Sequence, residues 1–380
     1  MLLDKVRPLY DHAGPFITLH LDVSRDSENA VQQLDARWTS ARRELEEHGI
    51  EGPIVEQIEA RVHEETGVGG AVRRTIVATA EEILLDDVRG GASSWPEGVT
   101  VGPLPDLTGW LSQVGGEMPF ILVTADRVGA DIEVYTAASR PAVEQTTADG
   151  SRADIRKLPV GGWAHDKIQQ RAENHWHANA EIAADAVTSA VRHHRPRLVV
   201  VCGDVRARSE IAERLGQANG ALVETVESGG RAEGTSDEAL WDDVHRLLAE
   251  LEARETDELV QRLERGVAVG EGVLTGPDRV ADAFVKGEVE RLVLDLSEAQ
   301  ETTIDPADHP GLALPQQALE AGPLPADRVL VAAAALTSAE VSVLPHEIEL
   351  PRDFALANGV AATLRWDERR QNAPADTDEV

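Results

Sequence analysis

The sequence has little cysteine and few aromatic residues. Its 380 residues include one cysteine, Cys202, so the chain forms no internal disulfide and no zinc site with several thiolate ligands. Only 3% of the residues are Phe, Trp or Tyr, whereas 42% are hydrophobic. The cores must therefore consist mainly of Ala, Val, Leu and Ile.

Long apolar runs are also missing, and positive charge is scarce. No run approaches the roughly 20 apolar residues of a membrane-spanning helix. The start, "MLLDKVRPLYDH", lacks the basic and then apolar segments of a signal peptide, so we expect a soluble, cytoplasmic protein. The formal net charge of −32 repels nucleic acids and anionic membranes unless a local patch reverses its sign.

The patterns of the first 117 residues predict an N-terminal α+β domain. A strand is expected at 15–23, a helix at 31–49, and two short strands within 75–88. Residues 101–119 are rich in Pro and Gly, and we interpret them as a connector that leads to a domain boundary near 117.

Residues 118–265 are expected to form a middle domain of α/β type. The pattern predicts a hairpin within 120–137, a long helix at about 164–193, and a strand, turn and helix within 195–215. A second long helix, which is acidic, is expected at 236–264.

Residues 266–370 are expected to form a third domain, followed by an acidic tail at 371–380. Its clearest helix is predicted to be capped by Thr275 and to end at Gly287. Residues 328–345 predict a strand, then a helix or turn, then another strand.

Common catalytic and cofactor motifs are missing from the sequence. It contains no Walker A pattern, no G-x-S-x-G and no G-x-G-x-x-G. His165, His175 and His177 do not share one helical face, so we expect no metal site, and we expect no cofactor. Cys202 ends an apolar run and is expected to be a buried thiol without a neighbouring base.

Residues 151–197 are the one cationic stretch of appreciable length, with eight Lys or Arg against five Asp or Glu. One interpretation is a phosphate-binding surface on which Trp163 stacks against a base. The other is an amphipathic helix with a basic outer face and Trp163 packed against the core. The turn at 203–210, "GDVRARSE", likewise either binds an anion at a helix N-terminus or is a surface loop.

These segments together resemble the archaeal–eukaryotic class I release factor family. "LPVGGWAHDKIQQRAENHWHANAEIAADAV" resembles its middle domain, where a Gly-Gly-Gln turn precedes a long helix. "GVLTGPDRVADAFVKGEVERLVLDL" resembles the start of its third domain, and "SAEVSVLP" and "NGVAATLRW" fit closing strands. The first region is similar to that of the bacterial branch, which includes the hibernation factor Balon.

The resemblance implies an RNase H-like middle domain and a C-terminal three-layer α/β/α domain similar to the ribosomal kink-turn-binding fold. It also implies a tip formed by Gly161, Gly162 and Trp163 that points to the peptidyl transferase centre. The release factors have Gln at the position of Trp163, where it helps water attack peptidyl-tRNA. An indole has one donor and no acceptor, which argues against peptide release.

The leading hypothesis is a non-catalytic protein of the ribosomal A site that acts in ribosome hibernation or protection under stress. Lys157, Lys167 and Arg171 would contact ribosomal RNA, with His165 beside the tip, and elongation factor Tu is a partner by analogy. Two alternatives stay open. One is a ribosome rescue enzyme acting on peptidyl-tRNA, with His165 or Gln169 as its polar group, and the other is a protein adaptor without RNA contact.

Overall fold

The computed structural model describes residues 2–91, 95–114, 117–138, 142–149, 164–216, 220–230, 237–344 and 356–365. The chain divides into two compact units. The first unit combines Met1–Gly116 with Thr256–Val380, and the second is Glu117–Glu255. The mixed α/β, multidomain architecture predicted from the sequence is confirmed.

The N-terminal part of the first unit carries an antiparallel sheet in the order β3-β2-β1-β4. After two short 3-10 helices, Leu2–Lys5 and Arg7–Asp11, its elements are β1 (Phe16–Asp22), α1 (Ala30–Glu47), α2 (Pro53–His63), β2 (Val72–Ala78), β3 (Ile83–Gly90), β4 (Gly98–Gly102) and α3 (Thr108–Val114). Strand β1, helix α1 and the two strands within 75–88 confirm the predicted elements.

The two faces of this sheet differ in chemistry. Alternation along β1 directs Ile17 and Leu19 into an apolar core with α1 and α2. The other face of the sheet carries polar side chains, among them Thr75 and His20, whose Nδ1 lies 2.8 Å from the Thr75 hydroxyl. Burial lowers the pKa of His20 to about 4, so this imidazole is neutral at pH 7.

The described strands of the second unit form a five-stranded sheet in the order β7-β6-β5-β8-β9. Its elements are β5 (Phe120–Ala125), β6 (Gly129–Tyr135), β7 (Glu144–Asp149), α4 (Ala164–His194), β8 (Leu198–Gly203), α5 (Val205–Leu215), β9 (Leu222–Thr225) and α6 (Asp237–Val269), of which the part up to Glu255 belongs here. Strand β5 pairs parallel with β8, and β8 pairs parallel with β9, whereas β6 pairs antiparallel with both β5 and β7.

Helices cover both faces of this second sheet. Helices α4 and α5 pack on one face, where Val187 lies in a cluster with Val123 and Val199. Helix α6 packs on the other face, where Val244 lies in a cluster with Leu122. Alternating residues of the parallel strands are therefore buried on both sides, which explains the continuous apolar run "LVVV" before Cys202.

The C-terminal part of the first unit carries a sheet in the order β10-β15-β11-β14, with β11 and β14 parallel. Its elements are β10 (Val273–Thr275), α7 (Pro277–Lys286), β11 (Val289–Leu294), α8 (Leu296–Ala299), β12 (Thr303–Ile304), α9 (Gln316–Leu319), β13 (Leu324–Pro325), α10 (Ala326–Thr337), β14 (Glu340–Val343) and β15 (Val360–Leu364). A short 3-10 helix lies at Pro306–Asp308, and β12 pairs with β13.

Three predictions for individual elements are wrong. Residues 101–119 contain the end of β4 and helix α3, whose Trp110 is buried in the core of the first unit, so this segment is more than a connector. Helix α10 replaces the strand predicted at the start of 328–345, because an Ala-rich helix buried on all sides has no amphipathic period to recognise. The N-cap of α7 is Gly276, whereas Thr275 ends β10.

Candidate functional site

Helix α4 is the element that carries the cationic stretch predicted from the sequence. It has 31 residues, which corresponds to a length of about 46 Å. In its second half, Ala180, Ala183, Val187 and Val191 recur every three or four residues and are buried against the sheet. The predicted long helix is thus confirmed, and a continuous apolar face fixes its second half to the sheet of the second unit.

The predicted site residues lie at and before the start of this helix. Lys157, Gly161, Gly162 and Trp163 lie outside the described residues, and Trp163 directly precedes the first helical residue. Three predicted site residues lie in the first eight residues of α4, namely His165, Lys167 and Arg171. The four-residue spacing of the last two puts these positions on one face of the helix. Their contact with RNA stays a prediction.

A small pocket lies where α4 passes the carboxyl ends of β5 and β8. Its volume is about 150 Å³. Its lining comes from the β5–β6 turn, from α4 and from the start of α5: Asp126, Arg127, Gly129, His177, Asn179, Ala180, Asp204, Arg206, Ala207, Glu210 and Ile211. The carboxyl ends of parallel strands are where open α/β sheets commonly bind ligands, so this pocket is a candidate ligand site.

Gly203 allows strand β8 to come close to β5 at this edge. Its φ is +103°, and a Cβ added there would lie 2.0 Å from the carbonyl oxygen of Ala125. The next residue, Asp204, donates its backbone N–H to that same oxygen over 2.9 Å. A glycine is therefore required for both the backbone conformation and the close approach.

Asp204 occupies the N-terminus of α5. Its Oδ1 accepts hydrogen bonds from the N–H groups of Arg206 and Ala207 at 3.0 and 3.3 Å. Burial alone would raise the pKa of Asp204, but these bonds and the Arg127 guanidinium outweigh it and hold the pKa below its ordinary value. The backbone donors are thus already satisfied by a carboxylate, which argues against the anion-binding interpretation of the turn at 203–210.

The β5–β6 turn connects this cap to helix α4. Asp126 Oδ1 accepts from the N–H groups of Val128 and Gly129 at 2.7 and 2.9 Å, which closes the turn. Arg127 Nε then donates to Asp204 Oδ2 over 3.2 Å, and Asn179 Nδ2 of α4 donates to the Arg127 carbonyl over 3.1 Å. The turn thereby links two helices through short polar contacts.

A second polar link joins α4 to α5 directly. His177 Nδ1 and Glu210 Oε1 form a hydrogen bond, and Arg214 Nη2 donates to the same carboxylate oxygen over 3.0 Å. Burial opposes ionisation of Glu210, but the bonds from His177 and Arg214 outweigh it and lower the pKa of this carboxyl. The carboxylate is therefore ionised at pH 7, when it can hold both partners.

These pairings decide what the pocket does chemically. Asp126, Asp204 and Glu210 each accept hydrogen bonds from neighbouring protein groups, and nothing in their arrangement poises one of them as a general base. Cys202 is fully buried, as predicted, and burial raises the pKa of its thiol, so it is inert. The polar contacts around the pocket form an anchor, which holds α4 against the β5–β6 turn and α5.

Sequence reasoning missed this anchor. Asp204 was visible as a capping residue after an apolar run, and the "DRVG" turn was visible within the predicted hairpin. Nothing in the sequence pairs His177 with Glu210, which lie 33 positions apart. Within the described ranges, no group of three or more His, Cys, Asp or Glu side chains is arranged to hold a metal ion, and no helix is long and apolar enough to cross a membrane.

Comparisons with known proteins match this region with a family model and nearly the whole chain with a relative. Residues 119–268 match the model of the "Bacterial archaeo-eukaryotic release factor family 2". The chain is 27% identical over 377 residues to an uncharacterized protein of Mycobacterium tuberculosis (strain H37Rv), covering 96% of this chain and 97% of that one.

Two solved structures are similar to this chain at lower sequence identity. Archaeoglobus fulgidus Pelota superposes with a TM-score of 0.31 at 14% identity, covering 92% of this chain and 95% of that one. The Saccharomyces cerevisiae translation termination-like factor Dom34 gives 0.40 at 11% identity, covering 78% and 79% of the two chains.

Proposed function

We propose that this chain, which is a release-factor-like protein, binds the ribosomal A site without catalysing peptide release. In this proposal it acts in ribosome hibernation or in protection of the ribosome under stress, in the cytoplasm. Its proposed contacts are ribosomal RNA and, by analogy with the bacterial branch of the family, elongation factor Tu.

The observation that carries the proposal is the position of the Gly-Gly-Trp sequence relative to α4. Trp163 directly precedes Ala164, the first residue of a 31-residue helix. The second half of that helix is fixed by an apolar face, and its middle is fixed by the His177–Glu210 and Asn179–Arg127 contacts. A long helix held at one end supports a role in which the other end presents a short segment to a distant partner.

The chemistry of that segment favours binding over hydrolysis. A water-positioning group has to accept a hydrogen bond from water, and the Trp163 indole has only an N–H donor. The indole does offer a flat face for stacking on a base. Lys157, Lys167 and Arg171 add positive charge in a chain whose net charge is −32, so RNA contact would concentrate there.

Two measurements on the purified full-length protein test the proposal. Co-sedimentation with bacterial ribosomes over a series of salt concentrations should show binding that weakens steeply as salt rises, because phosphate contacts release counterions. Incubation with ribosomes carrying peptidyl-tRNA should release no peptide above the rate without protein. Salt-independent binding or no binding would favour the protein adaptor, and efficient release would favour the ribosome rescue enzyme.

A further inference from the structure

A second cluster of positive charge lies at the opposite end of α4 from the Gly-Gly-Trp sequence. It is the sequence "RHHRPR" from Arg192 to Arg197, which we call the basal cluster. It closes α4 and leads into β8. Three arginines and two histidines within six residues are unusual in a chain that has 68 acidic and 36 basic side chains.

Two members of the basal cluster are matched by carboxylates. His194 Nε2 lies 2.9 Å from Glu144 Oε2, and Arg197 forms an ion pair with Glu255. The other two arginines, Arg192 and Arg195, are exposed. Among the residues that the structure describes, no carboxylate lies within 4.0 Å of either guanidinium. Both are therefore available to an external anion.

The backbone of Arg195 gives a second, independent observation. Its φ is +49°, a left-handed conformation that usually falls to glycine at the end of a helix, and its N–H donates to the Val191 carbonyl over 2.9 Å. A side chain there is strained relative to glycine. Arg192 lies in the last turn of α4, where the helix dipole stabilises a cation. Arg195 lies beyond the helix, and the strain in its backbone opposes folding.

We propose that the basal cluster is a second RNA-binding surface, at which Arg192 and Arg195 contact backbone phosphates. Arginine suits this role because its planar guanidinium donates two parallel hydrogen bonds to a phosphate. A strained, exposed and unpaired arginine is accounted for if its side chain is needed by a partner. We take the partner to be RNA. The rest of this acidic chain repels a polyanion, so RNA would contact the chain where positive charge is clustered.

The surface extends the proposed function, on which it rests, to a second point of contact. Arg192 lies 27 residues after His165 along one helix, about 40 Å away. Two contacts on one rigid element reinforce each other when both sites on the RNA are reached together. The basal cluster and the Gly-Gly-Trp end of α4 would then fix the orientation of the helix on ribosomal RNA.

The test combines binding and stability of full-length Arg192→Gln, Arg195→Gly and the double variant. The double variant should bind bacterial ribosomes about tenfold more weakly at low salt, and the slope of log affinity against log salt should fall by about one per arginine removed. Arg195→Gly alone should keep or raise the thermal midpoint, because glycine relieves the strain. The matched control is Arg279→Gln with Lys286→Gln, two exposed cations of the first unit, which should leave the slope unchanged.

Three outcomes overturn the proposal. The first is that the double variant keeps the affinity and slope of the parent. The second is that Arg195→Gly lowers the thermal midpoint together with binding, which would make the arginine a structural residue. The third is that inorganic polyphosphate at matched ionic strength binds the parent as tightly as a double-stranded RNA oligonucleotide, which would indicate a general anion patch.

The RNA oligonucleotide also separates this inference from the proposed function. If the parent does not bind ribosomes, the A-site proposal fails, and binding of the oligonucleotide then decides the basal cluster by itself. A parent that binds the oligonucleotide better than the double variant supports the cluster. A parent that binds it no better than the double variant refutes it.

Discussion

Thr108 and Asp327 lie 219 positions apart in the sequence, and the Thr108 hydroxyl donates a hydrogen bond to Asp327 Oδ2 over 2.5 Å. Both residues are buried. Nearby, Arg328 Nη2 donates to Asp106 Oδ2 over 2.7 Å. These contacts join the start of α3 to the start of α10, so the N-terminal and C-terminal parts of the chain share one core within the first unit.

Replacing Asp327 with Asn should stabilise the first unit at neutral pH. Burial raises the pKa of Asp327, although the Thr108 hydrogen bond opposes the rise. A raised folded-state pKa means that Asp327 favours folding below its ordinary pKa and that this contribution is lost as the pH rises through the folded-state pKa. Asn keeps an acceptor for Thr108 and has no charge to bury, so we expect a gain on the order of 1 kcal/mol, or about 2–4 °C in the thermal midpoint.

The measurement is calorimetry of parent and variant between pH 3 and pH 8. The difference between their midpoints should be small at the acid end and should grow towards neutral pH. Taking this difference cancels the contributions of other groups that titrate in this range, such as His20. Thr108→Val is the control with the opposite expected effect. It removes the hydroxyl that donates to Asp327, so it should destabilise the first unit. A difference that does not vary with pH would contradict the assignment.

Replacing Gly203 with Ala should destabilise the second unit strongly. The new Cβ would meet the Ala125 carbonyl at 2.0 Å while the backbone is held at a φ of +103°. Strain and overpacking together should cost about 3 kcal/mol or more. Gly216→Ala is the matched control, since its φ is also positive at +51° but no atom of the described residues lies within 4 Å of an added Cβ, so it should cost only about 1 kcal/mol. Thermal unfolding of the full chain compares the two, and equal losses would show that the close approach to Ala125 does not matter.

Reversing Lys157, Lys167 and Arg171 to Glu should weaken ribosome binding at low salt and flatten its salt dependence. Each lost phosphate contact lowers the slope of log affinity against log salt by about one. Co-sedimentation of folded variant and parent over the same salt series measures this effect. If the variant binds as tightly as the parent throughout, the first turns of α4 are a solvated helix face.

The control for this reversal has to remove the same charge elsewhere. Lys5, Arg279 and Lys286 are exposed cations of the first unit and suit this purpose. Arg291 does not, because it forms an ion pair with Glu340, and its reversal would place two carboxylates side by side. The control triple variant should reduce binding less than the α4 variant.

Replacing Trp163 with Gln tests why the chain lacks release activity. The parent should release no peptide from ribosomes carrying peptidyl-tRNA, since its indole accepts no hydrogen bond from water. Gln supplies an amide oxygen and should confer a trace of release if the rest of the tip is suited to it. Trp163→Ala is the control that removes the indole without adding an acceptor. Release by Trp163→Ala equal to that by Trp163→Gln would refute the water-positioning argument.

The sequence by itself determined the elements whose signals are local. The helical pattern at about 164–193 predicted α4, and the apolar run "LVVV" predicted β8. Gly287 predicted the end of α7, where the structure shows it in a left-handed conformation. The release-factor resemblance of the middle region is confirmed by the family match over residues 119–268. Each of these signals lies within a stretch of neighbouring residues, where backbone preference and hydrophobic period act directly.

The tertiary structure decided which of these elements form a common core and which polar groups meet. Trp110 lies in a segment rich in Pro and Gly, yet it is buried in one core cluster with residues of α10 and of the N-terminal 3-10 helices. The pairing of His177 with Glu210 and the close approach of Gly203 to Ala125 depend on sheet register and helix packing. The reason is physical: hydrophobic burial is non-directional, so composition shows that residues will be buried, and only the packed chain sets which distant partners lie within reach.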